Sequence, residues 1–171
     1  EFVFIVCSCS GPVREMKYRD FIQEHFLVDN AVTGEFVPFK FNRVQNKFYD
    51  MIVSEYGESE WDGLRRMVLK ARQEGFTSLF LAIFAAVCIL SKNSIRFLEI
   101  SNNEDATRQH FRRFKNYILS FVVKDPKAWT PELERKVFKS IAEGSEVVLR
   151  ENGASFYSGT ASSRTGERGG S

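Results

Sequence analysis

Apolar positions along this chain follow helical and strand periods in turn. Tyr18, Phe21, Ile22, Phe26 and Leu27 recur at near-helical spacing over residues 18–28. Thr33-Gly34 and Pro38 then mark a turn and an extended arm. Val44, Phe48, Met51, Ile52 and Tyr56 predict a helix over 42–56 with those five side chains inward. Asn42 opens it as N-cap, since its side chain can accept an orphan helix N–H. Residues 65–69 read as a short strand entering the core, and the apolar run 77–90 as a buried helix after it. A second strand is expected at 95–100. A second helix follows at 102–121, with Ala106, His110, Phe111, Phe114 and Ile118 as its inner stripe. Asp125-Pro126 ends that helix, and Thr130-Pro131 begins a polar stretch. Asn152-Gly153 between two short apolar runs, 146–149 and 154–158, is a strong hairpin signal. Residues 159–171, rich in Gly, Ser, Thr and Arg, read as a mobile loop. Strand, loop, helix, strand, helix is the beginning of a parallel α/β sheet with crossover helices.

Composition narrows this picture only slightly. The 171 residues suffice for one domain with a real core, and 17 Phe predict that the core is aromatic. A net charge of +2 gives no strong nucleic-acid footprint. The three Cys have no framework spacing and suit a reducing compartment. Cys7 and Cys9, with only the distant His25 or His110, fall short of the roughly four ligands a structural zinc needs. The 77–90 run is shorter than the about 20 residues that span a bilayer. The chain opens without Met and stops at Gly170-Ser171, so both ends read as cuts in something longer.

Candidate chemistry is concentrated between the 65–69 strand and the helix after it. The first turn of a helix offers unpaired N–H groups and the positive end of its dipole, which suits phosphate. A Walker A loop adds Gly for close backbone approach, Lys for the β/γ-phosphates and Ser/Thr for Mg²⁺. Here the eight positions run Lys70-Ala-Arg-Gln-Glu-Gly-Phe-Thr77. Gly75 and Thr77 are in place, but Phe76 stands where the Lys belongs. Lys70 and Arg72 offer cations from the other end of the loop, with Gln73 between them and Gly75, and Ser78 adds a second hydroxyl. Gly-x-Thr is also an ordinary helix start, with Thr77 or Ser78 as its cap. Upstream, Gln45 carries an amide able to pair with adenine's N6 and N7, although taken by itself it reads more simply as a solvated Gln on an amphipathic helix. Downstream, Arg164 and Arg168 lie in a Gly-rich tail, where a guanidinium can reach phosphate.

These features occur in the order and spacing of a known family. Gly34-Glu-Phe-Val-Pro-Phe ahead of Asn42-Arg-Val-Gln45, then Leu69-Lys-Ala-Arg-Gln-Glu-Gly-Phe-Thr77, then Asn152-Gly followed by Gly159-Thr-Ala-Ser-Ser and Arg168-Gly169, span most of the chain. Together they resemble the N-terminal ATPase domain of the large terminase subunit, the DNA-packaging motor of tailed bacteriophages. The resemblance implies a P-loop NTPase-type parallel sheet with crossover helices, incomplete, with a β-hairpin near the C-terminus. It divides the chain into a lead-in segment, 1–40, and a partial ATPase domain, 41–171. Its ligands would be ATP and Mg²⁺. Gln45 would read adenine, and Lys70, Arg72, Gln73, Gly75, Phe76, Thr77 and Ser78 would form the nucleotide loop, with Thr77 holding the metal. Arg168 would act on a neighbouring subunit's nucleotide. The implied partners are double-stranded DNA, the portal protein, the small terminase subunit and further copies in a ring, in the cytoplasm of an infected bacterium. No Walker B strand ending in Asp-Glu and no nuclease domain occur in this sequence, so the chain alone is expected to be inactive. A helicase-like P-loop protein and a non-catalytic remnant of such a domain are the alternatives.

Overall fold

The computed structural model describes residues 17–30, 32–57, 75–92, 94–101, 103–142 and 145–161, and the backbone of 2–6 and 65–69. In chain order the elements are β1 (Phe2–Val6), α1 (Tyr18–His25), β2 (Leu27–Asp29), β3 (Phe36–Pro38), α2 (Arg43–Tyr56), β4 (Arg65–Leu69) and α3 (Phe76–Leu90). There follow β5 (Arg96–Ser101), α4 (Glu104–Val122), α5 (Pro131–Val137), β6 (Phe138–Ala142), β7 (Glu146–Leu149) and β8 (Ser155–Thr160).

The molecule is mixed α/β, and its main sheet is mixed as well. Four strands lie in the order β5-β8-β7-β6. Only β5 and β8 pair in parallel, with Phe97 opposite Phe156, while β8–β7 and β7–β6 are antiparallel. The expected parallel sheet is thus reduced to one parallel pair among the described strands. β4, the strand before the candidate loop, pairs antiparallel with β1 in a separate ladder. β2 and β3 form a third small ladder. The predicted hairpin is present as β7–β8, with Gly153 at φ 72°, a left-handed conformation that glycine adopts without penalty. The polar stretch after Thr130 is in fact α5 and β6. Thr130 caps α5 through the Leu133 N–H, with Pro131 pre-set at the first helical position.

α3 occupies the centre. Leu79 through Cys88 are buried without interruption, as expected of a helix that is apolar on all sides. No helix among the described residues is long and apolar enough to cross a membrane. α4 packs beside α3 and covers one face of the sheet. Phe114 stacks on Phe156 of β8 at 4.2 Å, and Phe84 of α3 stacks on Phe97 of β5 at 4.4 Å. Alternation along β5 leaves Leu98 and Ile100 more than half exposed on the opposite face, beside Tyr157.

The α2 stripe is rotated from the expected one. The buried residues are Gln45, Tyr49 and Ile52, whereas Val44 and Met51 are exposed at 42% and 48%. Polar anchoring on that face decides the rotation. The Tyr49 hydroxyl accepts from the Arg19 N–H, Arg19 pairs with Asp50, and Gln45 reaches the start of α3. On α4 the stripe includes Thr107, Tyr117, Leu119 and Ser120 as well as the four larger residues expected, and Ala106 is only half-buried.

Candidate functional site

The residues singled out by sequence fall into two groups. Lys70, Arg72, Gln73 and Arg168 lie outside the described residues. Gln45, Gly75, Phe76, Thr77 and Ser78 meet where α2 begins beside the start of α3. Asn42 caps α2 with its side chain, accepting from the Gln45 N–H at 2.9 Å, while Gln45 Oε1 accepts from the Asn42 N–H at 2.9 Å. This reciprocal capping box holds the Gln45 amide rigidly. Its Nε2 then donates to the Gly75 carbonyl at 2.8 Å, across 30 residues of sequence.

Gly75 is the N-cap of α3. Its φ of 72° lies in the left-handed region, and an added Cβ would stand 2.8 Å from Gln45 Nε2. Both facts require glycine here. As a glycine, Gly75 has no side chain with which to cap α3. Thr77 and Ser78, the caps that an ordinary helix start would use, are instead its second and third residues. The N-cap residue thus supplies no acceptor to the first-turn N–H groups, which lie at the positive end of the helix dipole.

Phe76 has a packing explanation. It is 5% exposed and meets Phe48 edge-on at 5.2 Å, with Phe80 a turn further along α3. Its side chain belongs to the core, which leaves the backbone N–H for any ligand. Gln45 is 4% exposed and engaged at both ends of its amide. In this conformation it links α2 to α3.

Three residues at this end of α3 were not singled out by sequence. Arg113, on α4, donates from Nη1 to Ser78 Oγ at 3.2 Å. Its other edge pairs with Asp29 of β2, Nε to Oδ1 at 3.1 Å and Nη2 to Oδ2 at 3.3 Å. Tyr117, one turn further along α4, is fully buried; its hydroxyl meets no partner in good hydrogen-bond geometry among the described residues, although the Ser78 hydroxyl is close enough to influence it. Burial pushes its pKa well above the ordinary tyrosine range; the neighbouring Arg113 and Ser78 pull the other way. Arg113 directly precedes Phe114 of the apolar stripe, so spacing alone assigns it to a solvated flank. Only the tertiary pairing of α4 with α3 and β2 brings it to Ser78.

Two other features could carry chemistry. Under α4, Glu99 accepts from His110 Nδ1 at 2.8 Å and from the Ser158 hydroxyl. The carboxylate sits between the two, so Ser158 is not paired with the imidazole that would activate it as a nucleophile. At the opposite end of α3 a cleft of about 300 Å³ is lined by Cys88, Ile118, Phe121, Val137, Leu149 and Asn152 among others. None of the predicted site residues lines it. Among the described residues no three His, Cys, Asp or Glu side chains are grouped to hold a metal.

Comparison with family models, with curated proteins and with solved structures finds no match to this chain.

Proposed function

We propose that the start of α3 is a phosphate-binding site for ATP, and that the chain is part of an ATPase domain of the terminase large-subunit kind. One observation supports this reading above the others. Gln45 and Gly75, which the resemblance assigns to two separate nucleotide motifs, are in direct contact through the 2.8 Å bond from Nε2 to the Gly75 carbonyl. A left-handed glycine as the N-cap of a helix is also what a backbone phosphate cradle needs. In this reading the phosphates take the first-turn N–H groups, Thr77 contributes its hydroxyl to Mg²⁺, and Lys70 and Arg72 replace the charge that Phe76 lacks. Without a carboxylate cluster among the described residues, the metal would depend on Thr77 and the phosphate oxygens. Gln45 acts here mainly by fixing Gly75, and an adenine contact would need its free N–H or a change of rotamer. In the assembled parent, double-stranded DNA would be the translocated substrate, with portal protein and small subunit as partners. Arg168 would neutralise charge on a neighbouring subunit's nucleotide.

The burial of Phe76 and the internal engagement of Gln45 favour a second reading, in which the domain is a non-catalytic remnant that keeps the packing and has lost the ligand. Calorimetric titration with Mg·ATP separates the two. The ATP reading expects saturable one-site binding, weakened roughly a hundredfold or more in the Lys70→Ala/Arg72→Ala double variant, as loss of two charge-assisted hydrogen bonds predicts. Unchanged affinity in the double variant would rule out the displaced cations. No heat of binding in the wild-type chain would support the remnant.

A further inference from the structure

We infer that Arg113 is an additional anion-binding residue of the α3 site, and that Asp29 is its built-in competitor, occupying the guanidinium until a phosphate arrives. The inference builds on the phosphate reading above and adds two residues from elements outside its motifs. Arg113 is three-quarters buried and bridges two partners, a carboxylate on β2 and the hydroxyl of the third residue of α3. A guanidinium has five N–H donors. Three are used here, two on Asp29 and one on Ser78. An anion resting on the first turn of α3 lies against Ser78, which Arg113 already touches.

The Tyr117 hydroxyl, buried and without a well-formed hydrogen bond among the described residues, is a second pointer to a ligand. A fully buried hydroxyl without a partner is costly, of order 1–3 kcal/mol, and Ser78 and Arg113 are its polar neighbours. Ser78 Oγ can accept twice and donate once. With a phosphate oxygen present, the Ser78 O–H donates to it. The two Oγ lone pairs then face away from the anion and can accept from Arg113 and from Tyr117. The anion thereby orients Ser78 as an acceptor toward both neighbours, an arrangement its lone pairs allow but do not impose without a ligand. Asp29 works in the opposite sense. Its carboxylate neutralises Arg113 through two hydrogen bonds, so the field at the start of α3 is less positive than the residues alone would make it. Because Asp29 belongs to the β2–β3 ladder, ligand affinity at α3 is coupled to the position of that ladder.

The test is titration of the whole chain with inorganic pyrophosphate and, separately, with Mg·ATP, using Asp29→Asn, Arg113→Gln, Arg113→Lys and Tyr117→Phe. Thermal unfolding without ligand controls for folding. Asp29→Asn should tighten pyrophosphate several-fold by freeing the guanidinium. Arg113→Gln should weaken it about tenfold or more and flatten its salt dependence, with partial rescue by Arg113→Lys. A purely structural Arg113 would leave the salt dependence unchanged. Pyrophosphate binding that is indifferent to Arg113→Gln, or weakened by Asp29→Asn, overturns the inference. Pyrophosphate binding with these responses but no ATP binding leaves Arg113 as an anion contact and overturns the nucleotide reading instead. Absence of binding by either ligand overturns both.

Discussion

At the scale of single residues, Phe76 shows how a departure from a motif can have a packing cause. Restoring the missing lysine should fail. Phe76→Lys places a charge among Phe48 and Phe80 at a 5% exposed position. It should cost about 3 kcal/mol or more in urea unfolding, in the range of large core deletions. Gly75→Ala should lose about 1–3 kcal/mol, because φ is positive and the new Cβ would meet Gln45 Nε2 at 2.8 Å. Tyr117→Phe should behave in the opposite way. It removes a buried hydroxyl that has no well-formed hydrogen bond among the described residues and should leave the ligand-free protein as stable or more stable. The pH dependence follows from the raised Tyr117 pKa. Below about pH 10, the unfolded value, the folded and unfolded chains both carry the neutral phenol. Above it the unfolded chain loses the proton first, so this residue lowers stability by about 1.4 kcal/mol per pH unit until its folded pKa is reached. Urea unfolding from pH 9 to 11 should show a shallower decline for Tyr117→Phe than for the wild type.

At the scale of elements, the long strongly periodic segments were legible in the sequence and their orientation was less so. α2, α3, α4 and the β7–β8 hairpin fall within a residue or two of the expected bounds, since apolar period and Asn-Gly turn chemistry are local signals. The inner face of α2 was misphased because Val44 and Met51 look apolar in isolation. The tie from Gln45 to Gly75 and the Tyr49 contact, both long-range, set the actual rotation. β6 was missed for a related reason. Its exposed Lys139 and Ser140 read as loop until β7 supplies the pairing. Asn152 had a second function that no local pattern reveals. Its Nδ2 donates to the carbonyls of Cys88 at 2.7 Å and Ser91 at 2.8 Å, closing the C-terminal end of α3. Asn152→Asp keeps a turn-forming residue but loses both donors. It should destabilise by about 1–3 kcal/mol in chemical denaturation, whereas a residue acting only in the turn would tolerate the change.

At the scale of the whole molecule, α3 is the axis to which the other parts attach. Its flanks carry the aromatic core, its C-terminal end is closed by Asn152, and its N-terminal end starts at Gly75 beside α2, α4 and the β2–β3 ladder. Of the candidate site, Gln45 and the Gly75–Ser78 segment could be singled out by sequence as candidates. Sequence could not single out Arg113, Asp29 and Tyr117, which reach the same place from three-dimensional packing. The central claim is that phosphate binds the first turn of α3, and backbone amide NMR tests it most directly. Titration with Mg·ATP is predicted to shift the amide resonances of Gly75, Phe76, Thr77 and Ser78 together, saturably, with the Arg113 side-chain Nε–H following. Unchanged resonances at those positions, or shifts confined to the cleft around Phe121 and Leu149, would contradict the account.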